Sequence, residues 1–132
     1  MNIFILGRGK TGSLVGEVAR QRGHHVNVVG AAENRNAAAL TIARLAAVDM
    51  VIDFTTPPCV LQNIEACIDA GRSIVVGTTG WYAELPRIRQ MVEASESGLL
   101  YAANFSIGVN LFFEIARGAA AALQHEYFGQ IF

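Results

Sequence analysis

Six residues near the start of the chain, Gly7-Arg8-Gly9-Lys10-Thr11-Gly12, combine three glycines with two cations. Glycines at this spacing let the backbone turn tightly, let an anion approach the main chain, and let the next element pack closely. Arg8 and Lys10 suit that anion. The turn follows an apolar run at residues 2–6 and opens residues 11–22, where Leu14, Val15, Val18 and Ala19 recur at helical spacing. A strand, a glycine turn and a helix in that order are the setting in which G-x-G-x-x-G holds a dinucleotide pyrophosphate. The free N–H groups of the helix start would face the phosphates. A glycine turn without a ligand is the competing reading, and the two cations argue against it. The loop lacks the Lys-Ser/Thr ending of a nucleoside-triphosphate P-loop.

The pattern also asks for an acid about 20 residues further on, at the end of the second strand, and Glu33 meets it. Glu33 could accept the ribose 2′-hydroxyl of NAD, whereas Arg35 could pair with the 2′-phosphate of NADP. Both NADH and NADPH stay open on these residues.

Around these residues, strands and helices alternate. Strands are expected at 2–6, 25–29, 49–54, 73–76 and 99–102, with a further strand-like run at 126–132. Helices are expected at 11–22, closed by Gly23, at 37–47, at 60–70, closed by Gly71, at 85–95 and at 109–123. The strands are continuous apolar runs, as in a parallel sheet covered on both faces. The expected fold is therefore α/β: a Rossmann-like doubly wound parallel sheet in three layers, α/β/α, spanning residues 1–132. Ligands of such sheets lie outside the carboxyl ends of the strands. Those ends read DFTTP (53–57), VGTTG (76–80) and AANFSIG (102–108). Asn104 and Ser106 suit a helix N-cap. Asp53 reads as a strand-end turn residue without chemistry, His24 and His25 as a surface turn, and Trp81 and Tyr82 as cover for the loop after the fourth strand.

The bulk properties set limits. The chain has 132 residues, enough for one domain with a core, and a net charge of −1, which gives no pull toward nucleic acid or anionic membrane. No apolar run reaches the ~18 residues of a membrane span, and the start lacks the features of a signal peptide. The expectation is a cytoplasmic protein. Cys59 and Cys67 would lie ~12 Å apart along one helix, too far for a disulfide, and have no metal-ligand spacing with a histidine. Buried free thiols are expected, and no metal site.

At its later strand ends the sequence resembles the dihydrodipicolinate reductase family, also called 4-hydroxy-tetrahydrodipicolinate reductase, of lysine (diaminopimelate) biosynthesis. The carriers are residues 51–57 (VIDFTTP), 75–80 (VVGTTG) and 103–110 (ANFSIGVN), in the family's order and spacing. The resemblance implies an oxidoreductase using NADH or NADPH. It implies that Gly77, Thr78 and Thr79 hold the nicotinamide end, that Phe54 and Thr55 line the cofactor path, and that Ala103, Asn104 and Phe105 flank the nicotinamide and lead to an interdomain hinge. With Gly7, Arg8, Gly9, Lys10, Thr11, Gly12, Glu33 and Arg35, these are the expected cofactor-binding residues.

Two departures stand out. The glycine loop is one residue shorter than the family's G-x-x-G-x-x-G, and Thr11 replaces a commonly apolar residue. The family's His-His-x-x-Lys and D-A-P-S-G-T motifs, which bind the dicarboxylate substrate and supply the proton, do not occur. The resemblance therefore implies the N-terminal nucleotide-binding domain of such a reductase, without the substrate and tetramerisation domain and without a catalytic residue of its own. It would bind cofactor but not turn over substrate. Exposed apolar residues such as Phe112, Phe113, Ile131 and Phe132 would favour self-association. Two other readings remain: a non-catalytic NAD(P)-binding regulatory module, and another small dehydrogenase such as an aspartate dehydrogenase. The ANFSIGVN stretch argues against the last.

Overall fold

Five short strands alternate with helices along residues 1–123, the part of the chain that the computed structural model describes. The strands are β1 (Asn2–Leu6), β2 (His25–Val29), β3 (Met50–Asp53), β4 (Ile74–Val76) and β5 (Leu99–Tyr101). The α-helices are α1 (Lys10–Gln21), α2 (Ile42–Ala46), α3 (Pro57–Asp69), α4 (Leu85–Glu93) and α5 (Ile107–Leu123). The strand-like run expected at 126–132 lies outside the described residues.

All neighbouring strands pair in parallel, in the order β2-β1-β3-β4-β5. The chain steps from β1 to β2 on one side, then crosses back over β1 to continue with β3 on the other. That reversal leaves a crevice at the carboxyl ends of β1 and β3, where the flanking loops diverge. The α/β doubly wound architecture expected from the sequence is thus present.

Side-chain alternation divides the core into two layers. Phe4, Leu6, Val51, Ile74 and Val76 face α3 and α4 and pack with Val60, Ile64, Cys67, Ile68 and Ile88. Ile3 and Ile5 face the other way and pack with Val15 and Ala19 of α1. The two faces are unequally covered. Paired register aligns Val28, Ile5, Ile52, Val75 and Leu100 in one row on the α1 face. Ile5 is fully buried, whereas Leu100, at the far edge, is 59% exposed. α1 covers the β2-β1-β3 side of that face and leaves the β4-β5 side open. None of the α5 side chains is buried, and Leu111, Phe112, Phe113 and Ile115 are all exposed.

The single helix expected at 37–47 is replaced by a 3-10 turn at Arg35–Ala37 and the short α2. Asn36 and Ala37 adopt positive φ of 50° and 58°, which breaks a helix despite the alanine-rich sequence. Ala39 and Leu40 are instead drawn into the core, and the Thr41 hydroxyl caps α2 by accepting from Arg44 N at 3.3 Å. The helix expected at 60–70 starts earlier, with Pro57 in its first turn, where a missing N–H costs nothing. Cys59 and Cys67 do share this helix and are free thiols, but Cys59 is only half-buried.

Candidate cofactor-binding site

The glycine turn is built from steric necessity. Gly7 carries φ +104°, and a Cβ there would overlap the Phe54 carbonyl at the end of β3. A Cβ on Gly12 would overlap the Gly7 carbonyl, so helix and turn close on each other only with glycine at both places. Gly9 is different: nothing lies within 4 Å of where its Cβ would be. Close packing demands Gly7 and Gly12, whereas the bare face of Gly9 is open space, as needed for a ligand to reach the backbone. The first bond of α1 runs from Ser13 N to Gly9 O at 2.9 Å, so the N–H groups of its first turn have no intrahelical partner. No acidic residue occupies that turn to offset the positive helix end.

Two depressions meet over this turn. One, about 330 Å³, runs between Lys10, Thr11 and Gly12 on one side and Gly77, Thr78 and Thr79 on the other. The second, about 440 Å³, lies between Gly7, Arg8 and the end of β2 at Gly30 and Ala31. Gly9, Phe54 and Thr55 border both. Phe54 sits at the junction because its ring occupies the space a Cβ on Gly77 would take. Glycine directly after β4 therefore admits the Phe54 ring.

Beneath this floor lies a polar relay that the sequence did not disclose. The Asp53 side chain is fully buried at the end of β3. Its Oδ1 accepts from Thr55 N at 2.9 Å, Thr55 Oγ1 at 2.8 Å and Thr78 Oγ1 at 2.7 Å. Its Oδ2 accepts from Asn63 Nδ2 at 2.7 Å. Asn63 Oδ1 accepts from Asn34 Nδ2 at 2.8 Å, and Asn34 Oδ1 accepts from the Ala39 N–H at 3.1 Å. The relay ties β3, the β4 loop, α3 and the 3-10 turn together. The hydroxyls of Thr55 and Thr78 are committed inward, so a ligand meets their backbone. Trp81, buried at 2% exposure, donates from Nε1 to Thr78 O at 2.8 Å and packs edge-on against Tyr82 and Tyr101. It supports the loop from below. Thr79 is exposed, and among the described residues its hydroxyl has no protein partner.

At the outer end, Glu33 folds back onto the end of β2. Its Oε2 accepts from Gly30 N at 2.8 Å and lies 3.0 Å from Arg8 Nη2. The Gly30 N–H lowers the Glu33 pKa most, partial desolvation opposes it, and the Arg8 charge adds to the lowering; the net is below the usual carboxylate value. Arg8 also donates to Val28 O at 3.0 Å, as Arg20 does to Val26 O at 3.2 Å. Both carbonyls point away from β1 on the edge strand, so two guanidinium groups cover an edge that would otherwise be open to pairing.

Of the residues expected at the site, Gly7 to Gly12, Phe54, Thr55 and Gly77 to Thr79 converge on the two depressions, and Glu33 joins them through Arg8. Arg35 lies exposed on the 3-10 turn and lines neither. Asn104 and Phe105 line a separate depression with Ile107, Asn110 and Leu111, and Ala103 is exposed between β5 and α5. Asn104 Oδ1 accepts from Ser106 N at 2.8 Å, and Ser106 Oγ accepts from Val109 N at 3.4 Å, the capping geometry expected of both. Among the described residues no cluster of histidine, cysteine or acidic side chains could hold a metal ion, and no helix is long and apolar enough to cross a membrane. Cys67, wholly enclosed, has its thiol pKa pushed up to about 12 by burial and then by the Asp53 charge.

The sheet reversal beside β1 and the glycine turn set into it define a Rossmann-like α/β domain. An archaeal homoserine dehydrogenase solved in complex with NADPH shares this fold, with a TM-score of 0.55 at 14% identity over 76% of this chain and 43% of its own. The sequence narrows the class: residues 1–105 match the dihydrodipicolinate reductase N-terminus, and the chain belongs to that family. The 4-hydroxy-tetrahydrodipicolinate reductase of Christiangramia forsetii is 33% identical over 94% of this chain and 50% of its own length. That of Chromobacterium violaceum is 41% identical over 65% of this chain and 32% of its own. The chain thus spans about half the length, or less, of these relatives.

Proposed function

We propose that this chain is the cofactor half of a lysine-pathway reductase. It binds NADH or NADPH with the pyrophosphate on the α1 N-terminus and the nicotinamide beside residues 77–79. One observation carries this reading: the two depressions meet over Gly9, whose missing side chain leaves the backbone open to an anion. The cleft between the glycine turn and the threonines after β4 suits an elongated ligand. When bound, the nicotinamide would supply the hydride that reduces dehydrated hydroxy-tetrahydrodipicolinate to tetrahydrodipicolinate.

The residues of this chain would bind and orient the cofactor. The His-His-x-x-Lys and D-A-P-S-G-T motifs that would bind the dicarboxylate and give the proton do not occur in its sequence. The chain alone is therefore expected to bind cofactor without reducing substrate, and residues 103–105, leading into α5, form the path toward a substrate-binding domain. The exposed apolar side chains of α5 favour self-association; a monomer at every concentration in sedimentation would remove that part. Calorimetric titration with NADH and with NADPH tests the central reading. Saturable binding of either supports it, and a folded chain that binds neither refutes it. Reductase turnover by the pure chain would refute the division of labour.

A further inference from the structure

We infer that the chain carries a second ligand site, for a small aromatic monocarboxylate, between α2 and the amino ends of β1 and β2. A depression of about 410 Å³ opens there, lined by Asn2 of β1, His25 and Asn27 of β2, Arg44 of α2 and Val48 just after it. Its volume lies in the range of about 300–1,000 Å³ common to small-molecule sites. It sits at the opposite end of the strands from the glycine turn and shares no lining residue with the two cofactor depressions. The inference therefore stands apart from the cofactor reading.

The residue types are unusual for their place. Paired register sets His25 beside Asn2 and Asn27 beside Phe4, on the sheet face where Phe4 and Leu6 enter the core. Helices cover that face elsewhere, and apolar residues are expected on it. Val29, two residues past Asn27 on the same face, is buried, whereas His25 and Asn27 are exposed. Their cover is missing because the positive φ of Asn36 and Ala37 breaks the helix and leaves α2 five residues long. Among the described residues, the side chains of Asn2, His25 and Asn27 have no hydrogen-bond partner. Arg44 supplies the charge. Its Nη1 donates to Ala39 O at 3.5 Å, a long bond that leaves the rest of the guanidinium without a protein partner among the described residues. An arginine fork matches a carboxylate with two parallel bonds. One permanent cation suits a single negative charge better than a phosphate near −2. Asp49 does not line the depression, and its carboxylate is engaged by the Asn2 N–H at 2.7 Å. Phe4 and Val48 add apolar surface for a flat ring, and the two amides can donate to or accept from a polar group on its rim.

The test is a heteronuclear NMR titration of the whole chain with para-hydroxybenzoate, and with para-hydroxybenzamide as its uncharged counterpart. Binding of the acid is expected to saturate and to shift the amides of residues 2–4, 25–27 and 44–48. The benzamide should bind at least about tenfold more weakly, as for loss of hydrogen bonds to a charged group. R44Q should weaken the acid by about ten- to a hundredfold on the same ground, and N27A by about two- to tenfold, as for a neutral bond. R89Q, which removes an exposed charge of the same sign on α4, should leave the affinity within about twofold. The shift map and the acid–amide comparison use the wild type, so a misfolded variant cannot imitate them. No saturable binding by the folded wild type, shifts centred on residues 7–12 and 77–79, equal affinity for the benzamide, or unchanged affinity in R44Q would each overturn the assignment.

Discussion

Replacing Asp53 by asparagine tests the polar relay under the cleft, because its two ends have fixed polarity. Asp53 can only accept, and the Ala39 N–H can only donate. Between them the amides of Asn63 and Asn34 have one orientation that satisfies every bond. In D53N a new NH2 faces either Thr55 and Thr78 or the Asn63 amide. Flipping Asn63 moves the donor-to-donor clash to Asn34, and flipping Asn34 moves it to Ala39, where it stops against backbone. One buried bond must fail wherever the amides turn. An unsatisfied buried donor costs about 1–3 kcal/mol, and the surviving bonds to Oδ1 lose their charge assistance, about another 1–2 kcal/mol on the same scale. The lower cost of burying a neutral amide offsets part of this. The expected net loss is about 2–4 kcal/mol, roughly a 10 °C fall in Tm for a domain of this size. Urea unfolding followed by the fluorescence of Trp81, the sole tryptophan, reads it directly, since the Trp81 indole holds the same loop through Thr78 O. A D53N midpoint within about 0.5 kcal/mol of wild type, inside the range of an ordinary surface substitution, would refute the fixed-polarity relay.

Three of the glycines that line the cleft, Gly9, Gly12 and Gly77, predict an order of effects. G12A should destabilise most, by about 2–3 kcal/mol, because its Cβ meets the Gly7 backbone, whereas G77A meets a Phe54 ring that can shift, at about 1–2 kcal/mol. G9A should leave the unfolding midpoint near wild type yet weaken dinucleotide binding; a stability loss in G9A equal to that in G12A would contradict the open-space reading. The two thiols should separate as well. At pH 8 Cys59 is expected to react with a disulfide reagent and to be shielded by bound cofactor, as it lines the outer depression. Cys67 should stay protonated and unreactive until unfolding. Because the Cys67 pKa rises on folding, its linkage lowers stability as pH climbs from 9.0 through about 12 and has no effect below that window. Equal labelling rates in the folded chain would contradict the enclosure of Cys67.

The sequence made the sheet and the glycine turn legible because both rest on local signals. Continuous apolar runs mark buried parallel strands, and G-x-G-x-x-G between a strand and a helix is read within a dozen residues. Residues 37–47 misled because alanine propensity is a weak preference that tertiary demands override. The decisive contact there, Asn34 Oδ1 with Ala39 N, depends on Asn63 in a helix far along the chain. Thr41 was the one local hint, as a capping residue inside a supposed helix. Asp53 looks like a turn residue in the sequence for a similar reason: a carboxylate at a strand end is expected to face solvent until Asn63 and Thr78 are brought to it. The Arg8 and Glu33 partnership was equally invisible, since each residue separately fits an ordinary role in the dinucleotide pattern.

The uneven cover of the sheet sets an order in which its parts come undone. β1 lies second from one edge, buried on both faces from Ile3 to Leu6, and should hold its amide protons longest. β5 is three residues long, pairs among the described residues only with β4, and turns Leu100 to solvent, so its amides should exchange among the first. The glycine turn hangs from β1 and residues 77–79 from β4, whereas residues 103–105 and their separate depression hang from β5. The cleft and that second depression therefore belong to cooperative units of different stability. Hydrogen exchange would see this as a gradient of protection falling from the cleft toward the β5 edge.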